Sequence, residues 1–294
     1  MIRFIVCSDS DISRDYIKKH DIDLLPLVVE LDNTQYRAYR DITGEELCRL
    51  LLKSKSLPKT ATVSSIEIAD KMRVHIESGN EIIMVTMSEK GSGTFNCAQL
   101  ARAYLEEELE RKLPISIVDS ATFSIAYLHP IYDAVTMAGR GSSRREIVGF
   151  LNAAYAKQQL VTIMPDLTYL RRGGRLNYSS AMIGGVLGIV PILHVHGGVL
   201  EPIAKERGMT RAIGSVLHII EGKCPSKELR RAQLVQWNRE EETETIAKLV
   251  EARFEVEEFL PTVNPEASVT AHAGVDFLAI AFAEANTSAG EHHA

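Results

Sequence analysis

Short apolar runs, each closed by a polar turn, alternate with stretches of helical spacing over the first half of the chain. Arg3 to Cys7 reads as a buried strand ending in Ser8-Asp9-Ser10-Asp11. A short helix follows, with Tyr16 and Ile17 inward and Lys18-Lys19 outward. Leu24 to Leu31, rich in branched residues, reads as a single strand. Capping boxes at Thr43/Glu46, Ser64/Glu67 and Ser143/Glu146 open three helices, because each hydroxyl and glutamate can satisfy reciprocal backbone donors. Leu47, Leu50 and Leu51 supply the apolar face of the first; Ile66, Ala69, Met72 and Ile76 supply that of the second. Ser56 to Ser64 is expected to be a loop. Ile82 to Met87 and Ile115 to Val118 are further strands, each followed by a polar turn and a helix, the first to about Lys112 and the second to Gly139. Strand–helix alternation of this kind predicts a parallel sheet covered on both faces, with its site at the polar strand ends.

From about Val161 the rhythm changes. Val161–Met164, Ile192–Val195, Leu200–Ala204 and Leu234–Trp237 look like strands with shorter connections, and helices fit Met209–Ile220 and Glu241–Arg253. The last apolar stretch, Gly274 to Ala285, is expected to be a helix starting near a site. The fold class is therefore α/β: an N-terminal parallel-sheet α/β domain over 1–159, a C-terminal α+β domain over 160–286, and a flexible tail at 287–294.

Composition narrows the class. Of 294 residues, 45% are hydrophobic and 24% charged, enough for a sizeable core. A net charge of −6 argues against a nucleic-acid surface. Cys7, Cys48, Cys97 and Cys224 are scattered with no CxxC pair, which is neither a disulfide framework nor a zinc pattern and fits a reducing cytoplasm. The apolar N-terminus meets Asp9 too early for a signal peptide, and the run from Ala181 to Leu193 is too short to span a bilayer.

Candidate chemistry centres on Ser88-Glu89-Lys90-Gly91-Ser92-Gly93-Thr94, between a buried strand and a helix start. Helix starts offer free N–H groups to an anion. The stretch lacks the lysine of a phosphate loop, the third glycine of a dinucleotide fingerprint and the GxSxG of a hydrolase elbow. Taken alone, it equally suits an ordinary turn and helix cap. Tyr169-Leu170-Arg171-Arg172-Gly173-Gly174-Arg175 can turn tightly and aim one guanidinium inward. His194 and His196 share a strand face without nearby acidic or cysteine partners, so a metal site is not expected.

Together these segments resemble one family. Thr60, the Ser92-Gly93-Thr94 loop, Asp119-Ser120, Tyr169 to Arg175, Ile189-Val190-Pro191-Ile192, Lys205-Glu206-Arg207 and His272-Ala273-Gly274 stand in the order found in the DegV family, across roughly Ile2 to Ala285. That family includes the fatty-acid-binding subunits of bacterial fatty acid kinase. The resemblance implies a non-catalytic cytoplasmic carrier with no cofactor, holding a long-chain fatty acid between two domains. Thr60 and Ser92 would bind the carboxylate, Arg175 and His272 would share its polar network, and Thr62, Gly93 and Thr94 would add head-group or loop contacts. The partner would be an ATP-dependent kinase catalytic subunit that phosphorylates the bound carboxylate, docked near Arg207; transient contact with a membrane surface is compatible with such a carrier.

Two departures touch the head group. The family's Thr-Ser-Gln-Pro-Ser is Thr60-Ala61-Thr62-Val63-Ser64 here, and its serine pair is Ser88-Glu89, with Glu89 expected to face solvent. Burying an acyl chain gains about 0.8 kcal/mol per methylene, or roughly 11 kcal/mol gross for sixteen carbons. The alternative is a stand-alone hydrolase or transferase built on Ser92, His272 and Asp119.

Overall fold

The computed structural model describes residues 1–176 and 188–285. Runs of branched residues form a four-stranded parallel sheet from β1 (Ile2–Cys7), β2 (Asp23–Leu25), β6 (Glu81–Thr86) and β7 (Ile115–Asp119), in the order β2-β1-β6-β7. Helices α3 (Ser65–Glu77) and α4 (Thr94–Glu108) pack on one core built from this sheet. Helices α5 (Ile125–Gly139) and α6 (Arg144–Tyr155) pack on the other. All three capping boxes are formed, on α2 (Gly44–Leu51), α3 and α6. Their inward faces differ slightly from expectation. Leu50 and Ile66 are 38% and 70% exposed, and Cys48 and Ile68 take the buried positions instead.

The expected single strand over Leu24–Leu31 is two strands in different sheets. Pro26 has no N–H to give to a ladder, so pairing stops there. β2 stays in the parallel sheet, whereas β3 (Val28–Leu31) pairs antiparallel with β4 (Thr34–Arg37) and β5 (Lys59–Ala61). The stretch expected to be a loop thus contains β5, which sets Thr60 opposite Val29.

The second half forms a six-stranded sheet ordered β10-β9-β8-β13-β11-β12. Its members are β8 (Gln159–Ile163), β9 (Ile189–His196), β10 (Val199–Arg207), β11 (Glu228–Trp237), β12 (Glu255–Val256) and β13 (Phe277–Glu284). The expected helix over Gly274–Ala285 is therefore the strand β13. A run apolar on every position fits a strand buried on both faces as well as it fits a buried helix. Leu278, Ile280 and Phe282 face a core shared with α8 (Met209–Lys223) and α9 (Glu240–Glu251). Phe277, Ala279 and Ala281 face the opposite core, which also holds Ile125 of α5 and Leu170 of α7 (Thr168–Gly173). Residues 181–187 of the apolar run from Ala181 to Leu193, and the tail over 287–294, lie outside the described residues.

The short helix α10 (Ala267–Ala273) is wedged between these layers. Thr270 accepts a hydrogen bond from the Trp237 indole at 3.0 Å, and the Glu266 N–H donates to Asp11 at 2.7 Å. On its other side Gly44 lies so close that a Cβ there would stand 1.8 Å from the Pro265 carbonyl oxygen. Replacing Gly44 by alanine must push α2 and α10 apart. Gly44→Ala is expected to cost about 1–3 kcal/mol, read as a lowered midpoint in urea unfolding.

Candidate functional site

Loops at the carboxyl ends of β1, β6 and β7 open onto a cavity. The floor is the six-stranded sheet. Thr162, Ala279 and Val235 lie side by side across β8, β13 and β11, and the small Ala279 leaves room above the row. Leu160, Met164, Leu170, Leu200 and Phe277 extend the apolar wall. α10 supplies Ser268, Val269, His272 and Ala273.

Thr60, Ser92, Arg175 and His272 all line this cavity. The Thr60 hydroxyl and His272 Nε2 are 2.7 Å apart. Behind the imidazole is Gly173, where a Cβ would stand 2.5 Å from Nδ1; only glycine allows the approach. Two residues on, Arg175 donates through Nε to the Gly91 carbonyl at 2.9 Å and through a terminal nitrogen to the Gly173 carbonyl. Ser92 follows Gly91, and its oxygen is 2.9 Å from the Thr94 hydroxyl and accepts from the Thr94 N–H at 3.3 Å. Ser92 thus stands just before the start of α4, whose cap residue Gly93 has no side chain to bond the first N–H groups; free N–H groups at a helix start favour an anion.

Burial, and next the charge of Arg175, push the His272 pKa down to about 4, so the imidazole is neutral near pH 7. Burial also lowers the Arg175 pKa. Among the described residues no carboxylate forms an ion pair with that guanidinium, and its partners are carbonyl oxygens. The polar group is rich in donors and has no anion of its own.

The remaining expected positions lie elsewhere. Thr62 turns toward α4, 3.7 Å from the Cys97 sulfur, while Thr94 stands behind Ser92; neither they nor Gly93 form part of the cavity wall. Glu89 is exposed, as expected, and Arg207 is exposed at the end of β10. The Ser92–His272–Asp119 alternative is not assembled. Asp119 accepts from the N–H groups of Glu89 and Ala121, and His272 meets Thr60 rather than Ser92. His194 is bonded to Gln159, and no metal-binding cluster occurs among the described residues.

A second polar group lines the same cavity. Asp9 and Ser124, from the first and third strand-end turns, line the cavity with Ser268. Tyr127 donates to Asp9 Oδ1 at 3.3 Å, while Asp9 Oδ2 has no partner. Asp11 accepts from Ser124 and from the Glu266 N–H. Burial raises the pKa of Asp9 to about 7 and that of Asp11 to about 8. The sequence signal was present in the polar turns; what it lacked was the position of Ser268, one helical turn before His272.

Comparison with known proteins agrees with this architecture. The model of the DegV family, whose description is "Uncharacterised protein, DegV family", matches residues 1–285. The chain belongs to the DegV family. DegV domain-containing protein TTE1491 from Caldanaerobacter subterraneus subsp. tengcongensis is 29% identical over 96% of this chain and 99% of its own. Among solved DegV-type structures, DegV from Bacillus subtilis, a fatty acid binding protein, superposes with a TM-score of 0.83 at 25% identity, over 97% of this chain and 99% of that one. A stearic acid-binding protein from Eubacterium ventriosum superposes with a TM-score of 0.86 at 24% identity, over 97% and 98%.

The raised pKa of Asp9 fixes the sign of one pH effect. A carboxyl whose folded pKa lies above its unfolded value of about 3.9 stabilises the fold at low pH and loses that contribution as pH rises through the folded value. Native protein is therefore expected to lose thermal stability relative to Asp9→Asn between about pH 4 and pH 7. The difference should level off above that window, at no more than about 1.4 kcal/mol per pH unit within it. Parallel melting curves of the two proteins, stripped of ligand, test this.

Proposed function

We propose that this DegV protein is a non-catalytic carrier of a long-chain fatty acid. The observation that carries the reading is that Thr60, Ser92, Arg175 and His272 all line one cavity whose floor and walls are largely apolar. In this reading the carboxylate sits against Thr60, Ser92 and the Arg175 guanidinium, and the acyl chain runs over the floor of β8, β13 and β11.

The tautomer of His272 follows from its surroundings. Nδ1 is buried without a partner, and an orphaned N–H costs more than an orphaned lone pair. The proton therefore belongs on Nε2, which donates to the Thr60 oxygen. That leaves the Thr60 O–H free to donate to a carboxylate. His272 acts as a positioning residue, while Arg175 supplies the charge that makes burial of an anion affordable. The fatty acid binding of the relatives from Bacillus subtilis and Eubacterium ventriosum supports the assignment.

The finer part of the proposal is that the carrier presents this carboxylate to an ATP-dependent kinase subunit. It would leave as an acyl phosphate, with docking at the exposed basic end of β10 around Arg207. The motif order from Thr60 to His272 and the exposure of Arg207 support this step. A cytoplasmic setting and transient contact with a membrane surface suit such a carrier. Among the described residues no helix is long and apolar enough to cross a membrane.

Solvent extraction and native mass spectrometry of the purified protein are expected to reveal a bound long-chain acid. A protein that yields none, and binds none on titration with stearate, would defeat the proposal. Thr60→Val and Ser92→Ala are each expected to weaken stearate binding about tenfold, the loss of roughly one hydrogen bond to a charged group. Arg175→Met should do so by about a hundredfold. With a fatty acid kinase catalytic subunit and ATP, Arg207→Glu is expected to slow acyl phosphate formation while stearate affinity stays at the native value. Equal rates for the native protein and Arg207→Glu would remove the docking assignment.

A further inference from the structure

The polar group at Thr60 leaves the far side of α10 unexplained. Ser268 precedes His272 by one turn of this helix, about 6 Å along its axis, so its side chain faces the same cavity at another level. Ser268 is within 3.3 Å of the Ser8 hydroxyl, which places it beside the turn carrying Asp9. Asp9 is 4% exposed and lines the cavity, yet Oδ2 meets no donor or acceptor among the described residues. Ser124 also lines the cavity, with a positive φ of 53° and ψ of −144°, a strained geometry for a residue with a side chain. A buried carboxyl atom without a partner is costly. An apolar residue of similar size would serve a plain alkyl chain better.

From the orphaned Asp9 oxygen, we propose that this cavity has a second polar subsite, formed by Asp9 with Ser124 and Ser268, that accepts the hydroxyl group of a hydroxylated long-chain fatty acid. The inference rests on the fatty-acid reading above and deepens it by naming a substituent on the chain. A hydroxyl fits either charge state of Asp9. Ionised, Oδ2 accepts the ligand O–H; protonated, it donates to the ligand oxygen. The carboxyl titrates near neutral pH because of its burial, so both states are accessible. The carboxylate of the ligand remains with Thr60, Ser92 and Arg175, and the two sites together would set the position of the hydroxyl along the chain.

The test uses the full chain, delipidated, with stearate and a series of hydroxystearates bearing the hydroxyl at successive positions. Each is titrated by displacement of a fluorescent fatty acid. One position, or two adjacent ones, is expected to bind at least as tightly as stearate. Isomers with the hydroxyl over the apolar floor should bind about tenfold more weakly, because that hydroxyl is desolvated without a partner. In Asp9→Leu the ratio of stearate to best-isomer dissociation constants should fall about tenfold, and Asp9→Asn, which keeps a polar pair, should retain the optimum. Uniform weakening of every hydroxystearate in the native chain overturns the subsite without need of any variant, and so does an optimum that survives in Asp9→Leu. If stearate itself fails to bind, the fatty-acid reading falls first; normal stearate binding with no positional optimum removes the subsite alone.

Discussion

The hydrogen bond between Thr60 and His272 joins positions 212 residues apart, and the organisation of the cavity follows from it. To make it, β5 must be held opposite β3 and α10 must be held against the strand-end turns. The first condition is met by the break at Pro26, which frees β3 from the parallel sheet. The second is met by three unrelated contacts on α10: the Trp237 indole, the Asp11 carboxylate and the bare Cα of Gly44. Moving the helix would orphan the Trp237 N–H and the Glu266 N–H and would break the close packing at Gly44.

The electrostatics of the cavity are asymmetric as a result. Around Arg175 there are donors and a positive charge but no carboxylate in contact, and burial keeps His272 neutral. Around Asp9 there are hydroxyls and carboxyls whose ionisation burial opposes. Between them lies a floor of Thr162, Ala279 and Val235, in which Thr162 turns its hydroxyl onto the Leu278 carbonyl and so presents no free polar group. An amphiphile with one anionic end matches this distribution, because each part of it finds the solvent that suits it.

Much of this was legible before any coordinates. The parallel sheet, its three strand-end turns and the three capping boxes are local patterns of period and hydrogen bonding, and they read directly. The sequence is ambiguous where two elements share one local pattern. Gly274 to Ala285 is apolar at every position, so periodicity could not separate a doubly buried strand from a helix. Leu24 to Leu31 is continuous in composition, and only the missing N–H of Pro26 divides it. Thr60, Ser92, Arg175 and His272 were reached through motif order, but the reason His272 fits, the absent side chain at Gly173, is a tertiary fact. Asp9, Ser124 and Ser268 come from three separate segments, and no spacing connects them.

The place of β13 in its sheet has a bearing on synthesis. It is central, paired to β8 on one side and β11 on the other, yet it is the last of the six strands to leave the ribosome. Until it arrives, β8-β9-β10 and β11-β12 are separate halves with facing unpaired edges, and the cavity has no floor. The parallel sheet, by contrast, has all its strands once Asp119 is made. Folding of the second half is thus bound to non-local pairing late in translation, where loop closure is slow and open strand edges are exposed to other chains. A nascent chain can acquire its parallel-sheet half early, but the cavity cannot close until its final strand is threaded between the other two.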